Sequence, residues 1–437
     1  MKIYQYGSAE ADRHLDRIIN RGLDYTRKQY RQVAAIVEDV RENGDKALEE
    51  YTGRFDAPGL RAARFRVSEK EMAQAAKSVD KSFVKALGRA VRQIKEFHEA
   101  RVEKTWIMKS RPGVVVGQKI TPVDSAGIYV PGAKGGKTPL VSTVLMGAIP
   151  AKAAGVRRVV MVTPPMENGG VNPHLLVAAK KVGIKEIYKV GSAWAIAALA
   201  YGTRTIPKVD MIAGPGNIYV ALAKRMLAGV VGIDMIAGPS EILVIADSTA
   251  NPRNIAADLL SQAEHDPHCA PVLVTTSKSI ANETVNEIKK QLSGLDRRDI
   301  AKKSLSTYGA IFVVKKKRDA FVLANRFAPE HLELHTKYPF EDLDKIRNAG
   351  AVFLGDYTPE PVGDYIAGPN HTLPTSGCAR FASALSSSHF MKRTSIIHYS
   401  KAAFEDEAMD VIRLAQTEGL HAHANAVRVR MEKKGNG

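Results

Sequence analysis

The sequence predicts an α/β protein with two Rossmann-like parallel-sheet domains, a small helical N-terminal module and a helical C-terminal segment. Short β-branched runs alternate with helical patterns from about residue 110. This alternation is typical of βαβ units in a parallel sheet covered by helices on both faces. The 437 residues have an ordinary hydrophobic fraction of 45% and allow more than one large core. The predicted domain boundaries fall after residues 103, 236 and 380.

The N-terminal module, residues 1–103, is predicted from apolar residues at helical spacing. Glycines and a Pro58-Gly59 turn divide the region into separate helices. The spacing is carried by Ala34, Ile36, Val37 and Val40, and then by Phe83, Leu87, Val91, Ile94 and Phe97. We expect this module to be structural rather than catalytic.

The first α/β domain, residues 104–236, is predicted from strand-like runs that alternate with helical patterns. Its predicted strands are Gly127–Val130, Arg158–Thr163, 186–190 and Val209–Ala213, and its helices are Ser142–Ala154, 173–182, 192–201 and one after Asn217. The second domain, residues 237–380, follows the same alternation. Its predicted strands are Glu241–Asp247, Pro271–Thr275, 309–314 and Ala351–Leu354, and its helices are Asn254–Glu264, 278–293 and 317–327. The C-terminal segment, residues 381–437, is predicted to be helical from about Lys401.

The formal net charge of +17 leaves open a nucleic-acid partner, an anionic ligand or a solvated basic face. The basic residues are scattered along the chain, and aromatic residues make up only 6% of it. Binding of single-stranded nucleic acid relies on aromatic stacking, for which this composition offers little material. We therefore predict no nucleic-acid partner. Some of the positive charge would help to attract the phosphates of a nucleotide cofactor.

The composition also bears on location. The sequence contains no apolar stretch of about 18 residues, so we predict no membrane association. The segment from Met1 to His14 lacks the apolar core of a secretory signal. Cys269 and Cys378 are too few for a disulfide framework, which favours a reducing compartment. We expect a cytoplasmic protein.

Two glycine-rich segments are possible nucleotide loops. The segment from Gly132 to Thr138 is one residue short of a Walker phosphate loop, which favours a mobile glycine loop over an ATPase. The segment from Gly214 to Asn217 follows a predicted strand and precedes a predicted helix. Such a place suits an anion at a helix N-terminus, but a tight turn capped by Asn217 is an equally good interpretation.

A possible metal site begins at the end of one predicted helix. Gln262 and His265 are three residues apart and share a helical face. A set of oxygen and imidazole ligands suits zinc or manganese. Taken alone, the pair is explained as well by a capping or hydrogen-bonding role. Further candidate ligands are Asp364, His371, His421 and His423.

Glu330 and His331 follow Pro329 and place two titratable groups at one turn. Histidine titrates nearest to neutral pH and is the natural proton acceptor, whereas a glutamate in an enclosed site could activate water. The alternative is a glutamate at a helix end beside a partly exposed histidine. Position alone does not decide between the two.

A series of short motifs, in order along the chain, resembles the histidinol dehydrogenase family. The motifs are Val130-Pro-Gly132, Ser142-Thr-Val-Leu-Met146, Ala195 to Thr203, Gly214-Pro-Gly-Asn217, Ala237-Gly-Pro-Ser-Glu241, Asp258 to His265, Pro329-Glu-His-Leu332, Gly363-Asp-Tyr365, Gly368-Pro-Asn-His371 and Glu418 to His423. The resemblance is dense from about Pro122 to Arg430 and looser before it. Each motif is weak alone, but the ordered set is specific.

The resemblance implies the reaction and its cofactors. It implies an NAD-dependent, four-electron oxidation of L-histidinol to L-histidine through bound L-histidinaldehyde, at the end of histidine biosynthesis. It also implies one zinc ion per site and two NAD molecules per turnover. The nearest alternative is a paralogous zinc-dependent dehydrogenase of another small alcohol, such as sulfopropanediol.

The resemblance also implies the site residues. Glu330 and His331 would be the acid–base pair, and Tyr129 and Asn217 would contact NAD. The implied zinc ligands are Gln262, His265, Asp364 and the partner subunit's His423, so the active sites of a homodimer would be shared. The implied substrate contacts are Ser240, His331, His371 and Glu418, together with the zinc ligands Gln262, His265, Asp364 and His423.

The chain departs from the family pattern at two places near the expected cofactor site. Trp194 stands where the family usually has a glutamine that contacts the cofactor. It could stack beside the nicotinamide or simply pack. The loop 133–141 also looks a few residues longer than is usual in the family.

Overall fold

The structure, a computed structural model, describes residues 1–21, 26–133, 136 and 138–431. Residues 134, 135 and 137 of the glycine loop therefore lie outside the described residues. By its internal contacts the chain divides into two compact units. The first contains residues 1–101 and 123–390, and the second contains residues 102–122 and 391–437. The four-part division predicted from the sequence stays a prediction.

The helices and strands are numbered in chain order. The strands are Lys2–Gln5 (β1), Trp106–Arg111 (β2), Val114–Pro122 (β3), Ser125–Tyr129 (β4), Gly132–Ala133 (β5), Thr138–Pro139 (β6), Arg158–Thr163 (β7), Glu186–Lys189 (β8), Met211–Ala213 (β9), Gly232–Ile233 (β10), Glu241–Ala246 (β11), Ala270–Thr275 (β12), Ala310–Val313 (β13), His331–His335 (β14), Ala351–Leu354 (β15) and Met391–Tyr399 (β16). The helices are Ala9–Ile19 (α1), Arg27–Asn43 (α2), Asp45–Phe55 (α3), Glu69–Ser78 (α4), Lys81–Glu99 (α5), Val141–Ala153 (α6), Pro173–Lys181 (α7), Ser192–Tyr201 (α8), Ile218–Leu227 (α9), Pro252–Ala263 (α10), Lys278–Leu292 (α11), Arg298–Thr307 (α12), Lys317–Phe327 (α13), Pro339–Leu343 (α14), Glu360–Tyr365 (α15), Lys401–Thr417 (α16) and His421–Met431 (α17).

The first compact unit contains two parallel sheets. The first sheet has the order β10-β9-β4-β7-β8, and the second has the order β1-β13-β12-β11-β14-β15. Every pairing in both sheets is parallel. The central strands are buried on both faces, which explains their continuous apolar sequences, such as Glu-Ile-Leu-Val-Ile-Ala in β11.

The start of the chain differs from its predicted helical character. β1 pairs with β13 and forms one edge of the second sheet. α1 follows it, and its buried Leu15 and Ile18 belong to the core of that sheet. A strand of four residues, Lys-Ile-Tyr-Gln, carries too short an alternation to be recognised from sequence. The helices α2 to α5 agree with the prediction.

The second compact unit is a small sheet with two helices. β16, β3 and β2 form an antiparallel sheet, with Met391 opposite Pro122 and Tyr399 opposite Val114. α16 and α17 follow it and pack on each other through Ile412, Ala415 and Ala424. The helices were predicted from the sequence, whereas the antiparallel strands were not.

The predicted fold class is confirmed by the two parallel sheets with their helices and by the helical N-terminal and C-terminal parts. Among the described residues, no helix combines the length and apolar character needed to cross a membrane.

Candidate active site

The predicted acid–base pair lies at the amino edge of the second sheet. His331 is the first residue of β14, and Glu330 precedes it. β14 lies between β11, where Ile242 is opposite His331, and β15, where Ala351 is opposite it. The backbone of β14 is therefore held on both sides at the point where the two side chains leave it.

Glu330 is locked to Glu241 by two reciprocal hydrogen bonds. The backbone N–H of Glu241 donates to Oε2 of Glu330 at 2.9 Å, and the backbone N–H of Glu330 donates to Oε2 of Glu241 at 3.2 Å. Glu330 is 6% exposed and Glu241 is 1% exposed. Burial raises the pKa of Glu330 well above its usual range, although the N–H of Glu241 favours the ionised form.

His331 has one ring nitrogen engaged and one available. Its Nδ1 lies 2.9 Å from the backbone carbonyl oxygen of Glu241, which can only accept, so Nδ1 carries the proton. Its Nε2 has no hydrogen-bond partner among the residues that the structure describes. Burial lowers the pKa of His331 to about 4. The imidazole is thus neutral, with the lone pair of Nε2 free to accept a proton.

Two carboxyl groups on α15 face this nitrogen. Oε1 of Glu360 lies 3.9 Å from Nε2 of His331, and Oδ1 of Asp364 lies 4.0 Å from it. Burial raises the pKa of Glu360 to about 8 and that of Asp364 to about 6. A donor atom from each of the three residues lies within 4.8 Å of the others, close enough to hold one metal ion. Of these, only Asp364 belongs to the zinc ligands predicted from the sequence.

Gln262 and His265 come from the end of α10. Gln262 is 1% exposed, and its Oε1 has no hydrogen-bond partner within the described part of the chain. Ser261, beside it, places its hydroxyl 3.4 Å from Oε2 of Glu360. His265 lies beyond the helix end, is exposed, and is near enough to His331 to oppose its protonation.

His371 lies close to the same group. Together with His331 and Asp364 it lines a cavity of about 160 Å³. Burial lowers the pKa of His371 to about 4. Three of the predicted substrate contacts therefore meet around one small cavity.

A larger cleft of about 940 Å³ collects further predicted residues. Ser240 and His265 line it from the amino edge of the second sheet, and Asn217 lines it from the start of α9. Oδ1 of Asn217 accepts from the N–H groups of Tyr219 and Val220, so the predicted helix cap is present. The cleft therefore brings a predicted NAD contact and two predicted substrate contacts together.

Tyr129 and Trp194 both lie in the core of the first sheet. Tyr129 ends β4, and its hydroxyl accepts from the N–H of Ser192 at 3.1 Å. Trp194 is 4% exposed and stacks on Tyr51 and Phe55, each with ring centroids 5.7 Å away. Of the two interpretations open for Trp194, the structure shows packing within the protein.

Glu418 and His423 belong to the second compact unit. Glu418 directly follows the last residue of α16, and His423 lies in the first turn of α17. Both side chains are exposed. The other predicted site residues belong to the first unit.

Comparison with known proteins shows which family these residues belong to. The histidinol dehydrogenase family model matches residues 20–431. A histidinol dehydrogenase from Desulfotalea psychrophila is 51% identical over 98% of each chain, and one from Caldanaerobacter subterraneus is 53% identical over 95% of each. The chain belongs to the histidinol dehydrogenase family. A histidinol dehydrogenase crystal structure from Elizabethkingia anophelis is 39% identical, with a TM-score of 0.92 over 99% of this chain and 98% of that one. The protein is thus an oxidoreductase of histidine biosynthesis that acts on a small molecule.

Sequence reasoning missed three residues of this histidinol dehydrogenase site. Glu241 stood at the end of a recognised motif but carried no assigned role. Glu360 follows Pro359 at a helix start and is marked only by its spacing of four from Asp364. Arg21 donates to Glu241 from another part of the chain, and nothing in the local sequence signals it.

Proposed function

We propose that the protein oxidises L-histidinol to L-histidine in two steps, with NAD as the hydride acceptor and with L-histidinaldehyde kept in the site. The geometry of His331 carries this proposal. Its Nδ1 proton is held by a backbone carbonyl, its Nε2 is unpartnered among the described residues, and its pKa is lowered to about 4. Such a histidine is a ready proton acceptor at neutral pH.

His331 would take the proton of the substrate hydroxyl in the first oxidation and that of the hydrated aldehyde in the second. Glu330 would activate the water that hydrates the aldehyde. Burial raises the pKa of Glu330, which makes its ionised form a stronger base than an exposed carboxylate. The small cavity beside His331 would keep a reactive aldehyde close to the reacting groups.

A zinc ion fits the residues at this site. The buried Oε1 of Gln262 has no partner among the described residues, and a cation would satisfy it. A nearby cation would also favour the ionised forms of Glu360 and Asp364, whose pKa values burial raises. The proposed ligands are Gln262, His265, Asp364 and the partner subunit's His423. When bound, zinc would hold the substrate nitrogens in place for reaction.

NAD would act as a co-substrate that accepts one hydride in each oxidation. Its proposed contacts, Tyr129 and Asn217, lie at the end of β4 and just after β9. Both positions are at the carboxyl edge of the first sheet, where ligands of open α/β sheets bind. We also propose that the protein forms a homodimer with active sites shared between the subunits. Its proposed location is the cytoplasm.

The stoichiometry of NADH tests this function. Because one site performs both oxidations, each L-histidinol consumed should give about two NADH, the count expected for two hydride transfers. The measurement is NADH absorbance against histidinol and histidine determined by chromatography, with His331→Asn as the control that should not turn over. One NADH per molecule with free aldehyde in solution would contradict the proposal. So would oxidation of sulfopropanediol without oxidation of histidinol.

A further inference from the structure

Glu241 contacts both catalytic side chains. Its backbone N–H donates to the Glu330 carboxylate at 2.9 Å, and its carboxylate accepts from the Glu330 backbone at 3.2 Å. Its backbone carbonyl holds Nδ1 of His331 at 2.9 Å. The carbonyl contact leaves the lone pair on Nε2. The position of one residue therefore sets the direction of Glu330 and the tautomer of His331.

Arg21 in turn fixes the position of Glu241. Its Nη1 lies 3.0 Å from Oε1 of Glu241, with side chains that are 1% and 2% exposed. Its Nη2 lies 3.4 Å from the carbonyl oxygen of Pro239 and 3.3 Å from that of Ser240. The guanidinium thus reaches three successive residues at the start of β11.

The other donors of Arg21 are also engaged. Nη1 donates to the carbonyl oxygen of Ile18 at 2.7 Å, and Nε donates to that of His268 at 3.0 Å. These contacts tie α1 and the segment before β12 to the same guanidinium. A guanidinium has five N–H donors in a fixed plane, and five acceptors surround this one.

We propose that Arg21 and Glu241 are positioning residues for the Glu330–His331 pair. Arg21 fixes the start of β11, and Glu241, through its backbone and carboxylate contacts, then holds both catalytic side chains in place. This inference rests on the proposed function. It adds a residue from the N-terminal segment, which was expected to be structural only, to the support of the proton-transfer residues. Arg21 acts through Glu241 and is not itself catalytic.

Lysine cannot replace Arg21 in this role. Its ammonium is a point charge with three donors, so it cannot satisfy five acceptors at once. Arg21→Lys keeps the positive charge and most of the volume, so the fold should survive while the start of β11 loosens. A misplacement of about 1 Å at a reacting group can cost on the order of 10²-fold in rate.

The experiment compares Arg21→Lys, Arg21→Ala and Glu241→Gln in the full-length enzyme loaded with zinc. We expect kcat on histidinol to fall on the order of 10²-fold in each variant, with KM changed only a few-fold. Zinc content and thermal midpoint are measured on the same samples. Millimolar guanidinium should restore part of kcat in Arg21→Ala, whereas urea, which has a similar shape but no charge, should not.

The matched control is Arg326→Ala. Arg326 pairs with Asp16 at 2.6 Å and with Asp12 at 3.8 Å, and both carboxylates are about half exposed. Both belong to α1, the helix that ends two residues before Arg21. This variant should keep the wild-type kcat and show no response to guanidinium. It separates a general loosening of α1 from a loss of alignment at β11.

The outcomes are distinct. Wild-type kcat in Arg21→Lys and Glu241→Gln would overturn the inference, and so would a raised KM with unchanged kcat, which would make Arg21 a ligand contact. A fall in kcat that follows zinc loss or unfolding, with no rescue by guanidinium, would also overturn it. A wild-type enzyme that does not oxidise histidinol would instead contradict the proposed function.

Discussion

Burial acts in opposite directions on the pKa values of the two proposed catalytic side chains. It raises the pKa of Glu330 well above its usual range and lowers that of His331 to about 4. A neutral imidazole can accept the first proton without losing one beforehand. A raised pKa makes the Glu330 carboxylate a stronger base than an exposed glutamate, which suits it to activating water.

Substitutions should separate these two roles. His331→Asn should slow the oxidation of both histidinol and histidinaldehyde, because each needs a base on oxygen. Glu330→Gln should mainly slow aldehyde oxidation, the step that consumes water. Loss of a general base costs on the order of 10²- to 10⁴-fold in kcat. Single-turnover rates on the two substrates measure this, and equal small losses in both variants would contradict the assignment.

His98 provides a second test of how burial shifts the pKa of a side chain. It is 1% exposed, and neither ring nitrogen has a partner in the described part of the chain. Burial lowers its pKa to about 4, so below its unfolded value of about 6.5 the unfolded chain binds a proton that the folded chain does not. Stability is therefore lost as the pH falls from about 6.5 towards 4.

His98→Leu should remove this contribution. The stabilisation of the variant relative to wild type should grow by about 2 kcal/mol between pH 7.5 and pH 5, from the difference in the two pKa values. Urea midpoints at several pH values measure it. His268→Leu, which replaces an exposed histidine, is the control. A pH-independent difference between wild type and His98→Leu would show that His98 titrates normally in the folded protein.

Some site residues could be predicted from the sequence and others could not. Glu330, His331 and Asp364 stand in short motifs that resemble the family's, and the sequence singles them out as candidates on that ground. Arg21 and Glu241 meet over a separation of 220 positions, and their roles depend on which strand lies beside which. That information is held in sheet order and register, which a single sequence does not display.

At the scale of elements, α15 depends on Glu333. Oε1 of Glu333 accepts from the N–H of Glu360, the first residue of this short helix, at 2.9 Å. Oε2 of Glu333 lies 3.1 Å from Nε2 of His335, which lies 3.5 Å from Oδ2 of Asp258. All three side chains are buried. The helix that presents Asp364 is therefore anchored from the middle of the second sheet.

Glu333→Ala should weaken metal binding without touching a proposed ligand. Partners that orient metal ligands typically contribute about 10- to 100-fold in metal affinity, and we expect a loss in that range. Glu333→Gln keeps an acceptor for the N–H of Glu360 and should lose less. Zinc retention during dialysis against a chelator measures the effect, and Glu341→Ala on the exposed side of α14 is the control. Wild-type retention in Glu333→Ala would contradict this anchoring role.

Elements with a long periodic pattern were predicted well. Short strands, and strands that exist only because a distant strand pairs with them, were not. α2, α5 and α11 each span at least four turns and show an apolar stripe. β1 and β10 have four and two residues, and they exist because a neighbouring strand is there to pair with. The antiparallel β2, β3 and β16 likewise depend on contacts between distant parts of the chain.

At the scale of the whole molecule, the proposal divides each active site between two subunits. His423 belongs to the second compact unit, whereas Gln262, Asp364 and His331 belong to the first. Mixing His331→Asn and His423→Ala proteins tests the division. In a mixed dimer one site would carry both substitutions and the other neither, so activity should approach half of wild type per mixed dimer.

Two inactive proteins should thus regain activity once their subunits exchange. The control is the same mixture held under conditions in which exchange does not occur, and exchange itself is followed with differently tagged chains. If exchange is demonstrated and activity does not return, His423 does not complete the site of another subunit.

Parallel pairing at the edge of the second sheet also sets the order of events during translation. Lys2 pairs with Ala310, 308 positions later, so β1 leaves the ribosome long before β13 is made. At about 5–20 residues per second, the wait is about 15–60 s. During that time β1 is an unpaired strand, open to other chains and to chaperones. The unpaired β1 belongs to the same N-terminal segment that carries Arg21 to Glu241.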